Sequence, residues 1–387
     1  MSGVPAERLP LGGVCDARFA GVRDAFVANF TERGDVGAAV CVAVGGRVVV
    51  DLWGGWADVA RSRAWERDTL VNAFSVSKGL ATVCVLQLVG DGRLDLDARV
   101  ARYWPAFAGA GKEEITVRQV LSHQAGLPAV RGPLPDGAML DWSLMVQALE
   151  RQAPWWTPGT GHGYHVNTFG YLVGEIVRRV AGATLGSLLR TRVAGPLGAD
   201  VHIGLPSSEH HRVAEFLWPP YAPVPDRPAA GEDELMRWGA YWNPPGLSGA
   251  GWVNTAAWRS AELPSTNGHT TARGVARVYA ALARGGAIEG VRILDPAVLE
   301  VAVREQVNGL DRVLQRPSRF AVGFQLTQPE RPLGPHPGGF GHFGTGGSLG
   351  FCDPAADVAF GYVMNDLGPR WQNPRNRALI DAVYASL

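Results

Sequence analysis

Residues 343–351 read FGTGGSLGF, and within them Gly346-Gly347-Ser348-Leu349-Gly350 is a literal Gly-x-Ser-x-Gly. How this stretch is read decides the fold. In the α/β-hydrolases the pattern is a sharp strand-to-helix turn that presents a nucleophilic serine. Such a turn needs a helix after the serine, and an acid and then a histidine later in the chain. Here the chain continues GFCDPAADVAFGYVMN, which reads as strand, turn and strand, and no histidine follows Ser348. Both conditions fail. Ser348 then belongs to a Gly-rich strand edge, where another backbone or a ligand comes close.

Strand character extends outward from this point. Residues 320–327, 339–343, 350–352 and 358–365 are short apolar runs, and Asp353-Pro354-Ala355-Ala356-Asp357 marks a turn between the last two. An amphipathic helix is expected over 375–387. At the other end, 16–31 carries apolar residues near helical period. Residues 37–53, GAAVCVAVGGRVVVDLW, read as two buried strands joined by a Gly45-Gly46 hairpin. The run VSKGLATVCVLQLV, 76–89, is too long for a strand and stops at Gly90-Asp91-Gly92, so it reads as a buried helix. Further helices are expected over 116–122, 141–152, 168–181 and 271–284. The stretch 217–269, with Trp218, Trp238, Trp242, Trp252 and Trp258, reads as loop. The resulting fold class is α/β in the α+β sense. One antiparallel sheet is built from both termini and flanked by the terminal helices, with an all-helical domain inserted. The expected division is 1–90 and 270–387 for the sheet domain and 91–269 for the insertion.

Bulk properties agree with a large globular chain. It has 387 residues, 46% apolar and 19% charged, and its 36 basic residues balance 36 acidic ones. No block of like charge points to nucleic acid. The N-terminus MSGVPAERLPLGGV lacks a basic segment followed by an apolar one, so neither an export signal nor a membrane span is expected, and the cytoplasm is the expected address. The four cysteines are far apart, fit no metal motif and read as free thiols.

A better nucleophile than Ser348 lies in NAFSVSKGL, 72–80. Ser75 and Lys78 are three apart at the start of the predicted helix, so they share a face. A lysine inside an apolar helix loses solvation, which lowers its pKa and makes a neutral amine accessible. Lys78 is the only charge in 76–89. Tyr164, in the Gly-rich stretch before the 168–181 helix, is a second candidate: a phenol near positive centres can lose its proton and act as a base. The strand GHFGTGGSLG, 341–350, can offer backbone N–H groups to an oxyanion.

Together these residues resemble the penicillin-recognising serine hydrolase superfamily, which includes class C β-lactamases, DD-peptidases and family VIII carboxylesterases. Ser75-Val76-Ser77-Lys78 matches its first motif, Tyr164-His165-Val166 its second and His342-Phe343-Gly344 its third, in the family's order. The stretches 119–127, 169–179 and 347–354 are similar too, and the likeness spans roughly 15–387. The resemblance implies the β-lactamase/transpeptidase-like fold, with Ser75 as nucleophile, Lys78 sharing its proton and Tyr164 as general base. It also implies an oxyanion hole from the N–H groups of Ser75 and Thr345. Two departures matter. The second motif usually ends in Asn, whereas here Val166 stands there and Asn167 comes one place late. The third usually begins with Lys, whereas here it is His342. Losing both weakens recognition of a peptide or β-lactam and resembles the esterases. The expected activity is hydrolysis of small-molecule short-to-medium acyl esters, without cofactor or metal. Val166, His342, Phe343, Gly344 and Trp252 are the expected pocket residues. A β-lactamase or D-amino-acid-specific peptidase is the alternative, and a non-catalytic binding protein the third. Oligomeric state stays open. His210-His211 reads as surface, His123 as structural and His162 as packing beside the site.

Overall fold

The computed structural model describes residues 9–218 and 225–387. The first eight residues, on which part of the export-signal expectation rests, and part of the Trp-rich stretch lie outside them. The centre is a nine-stranded antiparallel sheet. Its strands are β1 (Leu11–Cys15), β2 (Gly37–Val44), β3 (Arg47–Gly55), β4 (Val307–Leu310), β5 (Pro317–Phe320), β6 (Gln325–Leu326), β7 (Phe340–Phe343), β8 (Leu349–Asp353) and β9 (Val358–Met364). In space they run β1-β3-β2-β9-β8-β7-β6-β5-β4. The last long strand therefore pairs with the first hairpin, and the two ends of the chain close one sheet.

Local sequence explains the pieces. Gly45 and Gly46 both have positive φ, 61° and 78°, as a two-residue hairpin loop requires. Strands β2 and β9 are apolar throughout because both sheet faces are covered. Helices α1 (Ala20–Thr31), α2 (Val76–Gly90), α3 (Thr168–Ala181), α4 (Ala272–Ala283) and α5 (Pro374–Tyr384) do the covering and site-building. α1 packs with α5, α4 lies on β2, β8 and β9, and α2 is sandwiched between α3 and the β7–β8 region. α2 is buried along nearly its whole length, which is why its sequence shows no polar face.

Three expectations change. The run 320–327 is not one strand: β5 ends at Phe320 and β6 opens opposite it at Gln325. The buried residues Ala321, Val322 and Phe324 fill a turn, made possible by Gly323 at φ 72°. The stretch 217–269 contains helices Glu232–Trp242 and Ala256–Ser260. The first begins with three acids, which suit a helix N-terminus. The middle of the chain also holds one short strand, Val201–His202, paired with His269–Thr270.

Candidate active site

Ser75 is the residue before the first turn of α2, and its backbone is already helical, φ −70° and ψ −3°. Phe74, just before it, has φ 49°. A bulky residue there is strained and needs support. The Phe74 ring packs edge-on against Phe216 at 4.8 Å. Its carbonyl accepts from the Ser77 hydroxyl, which itself accepts from the Gly268 N–H at 2.8 Å. Ser77 thus locks the turn. The Ser75 side chain makes no capping bond to its own helix, so its oxygen is free for chemistry.

Lys78 lies fully buried below it. Its Nζ is 3.1 Å from Ser75 Oγ, 2.6 Å from the Val166 carbonyl and 2.9 Å from the Ser265 carbonyl. No carboxylate forms an ion pair with it among the described residues. Burial therefore pushes its pKa well below the usual lysine value. A neutral amine has two N–H groups and one lone pair. Two carbonyls can only accept, so they take two N–H groups; the third position donates to Ser75 Oγ in the ammonium form and in the neutral amine is a lone pair open to the Ser75 O–H. The chain contains one other lysine, Lys112, also buried. It meets three carbonyls, those of Gly109, Glu150 and Gln152, at 2.7–2.8 Å. Three acceptors match an ammonium. Burial lowers the Lys112 pKa too, but only the Lys78 amine has a hydroxyl among its partners.

Tyr164 is completely buried, with Lys78 Nζ 4.8 Å from its ring centroid. Burial pushes the phenol well above its ordinary pKa, and the neighbouring Ser75 side chain opposes this without overcoming it. Desolvation therefore opposes the proton loss that the sequence reading expects of this phenol, and the Tyr241 and Asp311 side chains add to that opposition. The Tyr164 hydroxyl has no hydrogen-bond partner among the described residues. The backbone, by contrast, is clamped. The buried Asp311 carboxylate accepts the Tyr164 N–H at 3.0 and 3.1 Å, the Val313 and Leu314 N–H groups at 2.9 Å, and the Ser318 hydroxyl at 2.9 Å. With that hydroxyl proton committed, His162 Nε2 donates to Ser318 Oγ at 2.8 Å. His165 accepts from the Leu127 N–H and donates from Nδ1 to the Gly163 carbonyl, and His123 Nδ1 accepts the His165 N–H. These histidines shape the loop that carries Tyr164.

The Gly-rich strand closes the site from the other side. A Cβ on Gly344 would stand 2.3 Å from the Ala73 carbonyl and 2.0 Å from Ser348 Oγ. Only glycine lets the third motif lie this close to the turn that bears Ser75. Ser348 donates to the Ala73 carbonyl at 2.8 Å. It is a latch between the two segments, followed by β8 rather than a helix. The N–H groups of Ser75 and Thr345 donate to no acceptor among the described residues, as an oxyanion hole requires. The Thr345 turn is braced from behind: the Gly346 carbonyl accepts from Gly368 N–H and Asn373 Nδ2, and the Gly347 carbonyl from Asn376 Nδ2. His342 is fully buried, and burial pushes its pKa well down, so it is neutral.

The structure thus brings together Ser75, Lys78, Tyr164, Val166 and the 342–345 strand. The Trp252 ring lies beside Gly137 and Gly246. The tryptophan that meets Tyr164 is Trp371, ring to ring at 5.0 Å. Asn167 does not replace the motif's missing Asn; its Nδ2 donates to the Ala240 carbonyl and Ser248 Oγ. His210 and His211 lie in a partly exposed turn, Ser207–Arg212. The cysteines are free, three buried and Cys15 half-buried. Among the described residues, no helix is long and apolar enough to cross a membrane, and no cluster of three metal-ligating side chains occurs.

Comparison with known proteins matches the beta-lactamase family profile to residues 23–385. The chain belongs to the beta-lactamase family. It is 37% identical over 361 residues to the esterase/beta-lactamase LipL of Mycobacterium tuberculosis, covering 92% of this chain and 83% of that protein. A family VIII carboxylesterase crystal structure superposes with a TM-score of 0.90 at 43% identity, over 97% of this chain and all of that one. A penicillin-binding protein homologue from Caulobacter crescentus superposes with a TM-score of 0.89 at 41% identity, over the same shares. This member of the beta-lactamase family is a serine hydrolase with the β-lactamase/transpeptidase-like fold.

Proposed function

We propose that the chain is a carboxylesterase that cleaves short-to-medium acyl esters through an acyl-enzyme on Ser75. The observation that carries this reading is the Lys78 environment, two carbonyls and the Ser75 hydroxyl around a buried amine. Lys78 accepts the Ser75 proton as Oγ attacks the ester carbonyl. The Ser75 and Thr345 N–H groups take the oxyanion. Tyr164, held protonated, gives its proton to the departing alkoxide, and the proton on Lys78 restores it. Water then attacks the acyl-enzyme, and the same groups run in reverse to release the acid and Ser75. Tyr164 acts here as acid first, rather than as the initial base.

Ester preference is supported by what flanks the centre. Val166 offers no carboxamide, and His342 is neutral, so the groups that would grip a peptide amide or a β-lactam carboxylate at these motif positions are missing. Ser75 is only 4% exposed, which suits slim acyl groups. The test sets p-nitrophenyl butyrate against a chromogenic cephalosporin, with Ser75→Ala and Ser348→Ala as controls. Fast ester turnover, slow cephalosporin turnover, loss in Ser75→Ala and retention in Ser348→Ala support the reading. Comparable cephalosporin turnover would move it to a β-lactamase, and an active Ser75→Ala would refute the nucleophile.

A further inference from the structure

Next to the centre the 311–331 segment carries arginines that the acyl-transfer chemistry does not use. The Arg316 guanidinium stacks on Trp371, 4.8 Å from its ring centroid, and the same tryptophan meets Tyr164 edge to face at 5.0 Å. One tryptophan therefore touches both a cation and the candidate catalytic phenol. Arg316 makes no ion pair or side-chain hydrogen bond among the described residues. Arg331 lies beside it, donating to the Pro317 carbonyl at 2.5 Å, and likewise has no acid within ion-pair distance among the described residues. Its neighbour Pro332 accepts from Gln372, which ties the pair to the Trp371 segment. A narrow crevice lined by Phe343, Trp371, Phe320, Gln328 and Arg331 joins the third motif to Arg331, and Arg316 stands outside its lining, over the Trp371 ring. Arg319, at the same crevice, is already committed to Glu305 and the Thr327 carbonyl.

Two like charges held close in partial burial are unfavourable, and the nearby Glu330 and Asp311 carboxylates offset this only in part. Burial and the Arg316 charge pull Arg331 down to about 10, far from an ordinary guanidinium. Most other arginines that pack into this fold are paired: Arg118 with Asp97, Arg212 with Asp200, Arg273 with Asp51 and Arg375 with Asp35. A carboxylate is the planar partner that suits such a site.

We propose that Arg316 and Arg331 form a subsite for a carboxylate carried by the ester substrate beyond its scissile bond, reached along the Phe320–Phe343–Trp371 crevice. This rests on the esterase reading and names its substrate class: esters with an anionic distal end, on either the acyl or the alcohol side. The loss of the third-motif cation at His342 then does not abolish anion recognition but relocates it past an aromatic wall, out of reach of a compact bicyclic substrate.

The experiment compares matched ester pairs. Mono-p-nitrophenyl adipate against p-nitrophenyl hexanoate places the charge on the acyl side, with a spacer too long for rapid self-cleavage. 4-Carboxyphenyl butyrate against 4-carbamoylphenyl butyrate places it on the alcohol side. In at least one pair the anionic ester is expected to show about tenfold higher kcat/KM at low salt, as a charge-assisted pair provides. Arg316→Gln with Arg331→Gln should erase this advantage while neutral-ester turnover changes by less than about threefold, which also reports that the variant folds. Raising salt should shrink the advantage in the parent enzyme only. Preference for the neutral ester in both pairs, or an advantage that survives the double substitution, overturns the subsite. Failure of the parent enzyme on every ester overturns the esterase reading and the subsite with it.

Discussion

At the scale of single residues, the acid–base assignment turns on Lys78. Its folded-state pKa is depressed by burial. The neutral amine is the active form, so activity is present above that pKa and lost as pH falls through it. Because burial shifts it downward, the acid limb of kcat/KM should lie well below the usual lysine range. Lys78→Arg should be inactive across the profile, since arginine does not deprotonate. A pH–rate profile of both proteins checks this, and an unaltered limb in an active Lys78→Arg would remove Lys78 from the role. Asp311 is the residue that sequence reasoning missed. Its donors include the Tyr164 N–H, 147 positions away, so nothing near Asp311 in the chain reveals the contact. Asp311→Asn replaces an acceptor oxygen with a donor amide among four donors. It should cost about 1–3 kcal/mol of stability. It should also lower kcat more than it raises KM, because Tyr164 is misplaced rather than removed. Denaturant melts and a kcat-against-KM comparison test this.

At the scale of elements, what was legible follows from how local the determinants are. The Gly45-Gly46 hairpin, α2, α3 and α4 are specified by turn chemistry and apolar runs within each segment, and their predicted bounds agree with the structure to within two residues. The helix Glu232–Trp242 hides among prolines and tryptophans that read as loop. The split of 320–327 follows from packing against residues far away, not from its own apolar pattern. The three motif segments were readable by order and spacing, whereas the Trp371 wall was not, since no motif marks it. The third-motif strand also carries a sharp steric demand. Gly344→Ala would drive a methyl into the Ala73 carbonyl and Ser348. The strand must shift, taking the Thr345 N–H with it. Turnover should fall by about a hundredfold, the scale of losing one oxyanion donor, while circular dichroism stays that of a folded protein. Full activity in Gly344→Ala would show that the close approach is dispensable.

At the scale of the whole molecule, one buried cation ties the two chain ends. Arg375 of α5 pairs with Asp35 at 3.0 Å and Asp366 at 2.7 Å, and donates to the Arg33 and Gly34 carbonyls. Asp35 also accepts from the Tyr362 hydroxyl of β9. Burial outweighs Arg375 on this carboxyl and raises it to about 6. A raised pKa means that its contribution to stability is fully present below the unfolded value and is lost as pH rises through about 6. Arg375→Met leaves the carboxylate buried and unpaired. It should cost about 3–5 kcal/mol at pH 8, and less at pH 5, where Asp35 takes up a proton. Denaturant unfolding at the two pH values checks this; an equal loss at both would show that Asp35 does not carry the effect.

Lys78 and Lys112 are the chain's entire lysine complement, and both are buried. Protein grown on isotopically enriched lysine would therefore display just two side-chain resonances in an otherwise silent magnetic resonance spectrum. One belongs to an amine with three carbonyl acceptors and the other to an amine that shares a serine hydroxyl. The proton at the reactive centre could then be followed directly, in the resting protein and after acylation, without removing any residue or relying on turnover.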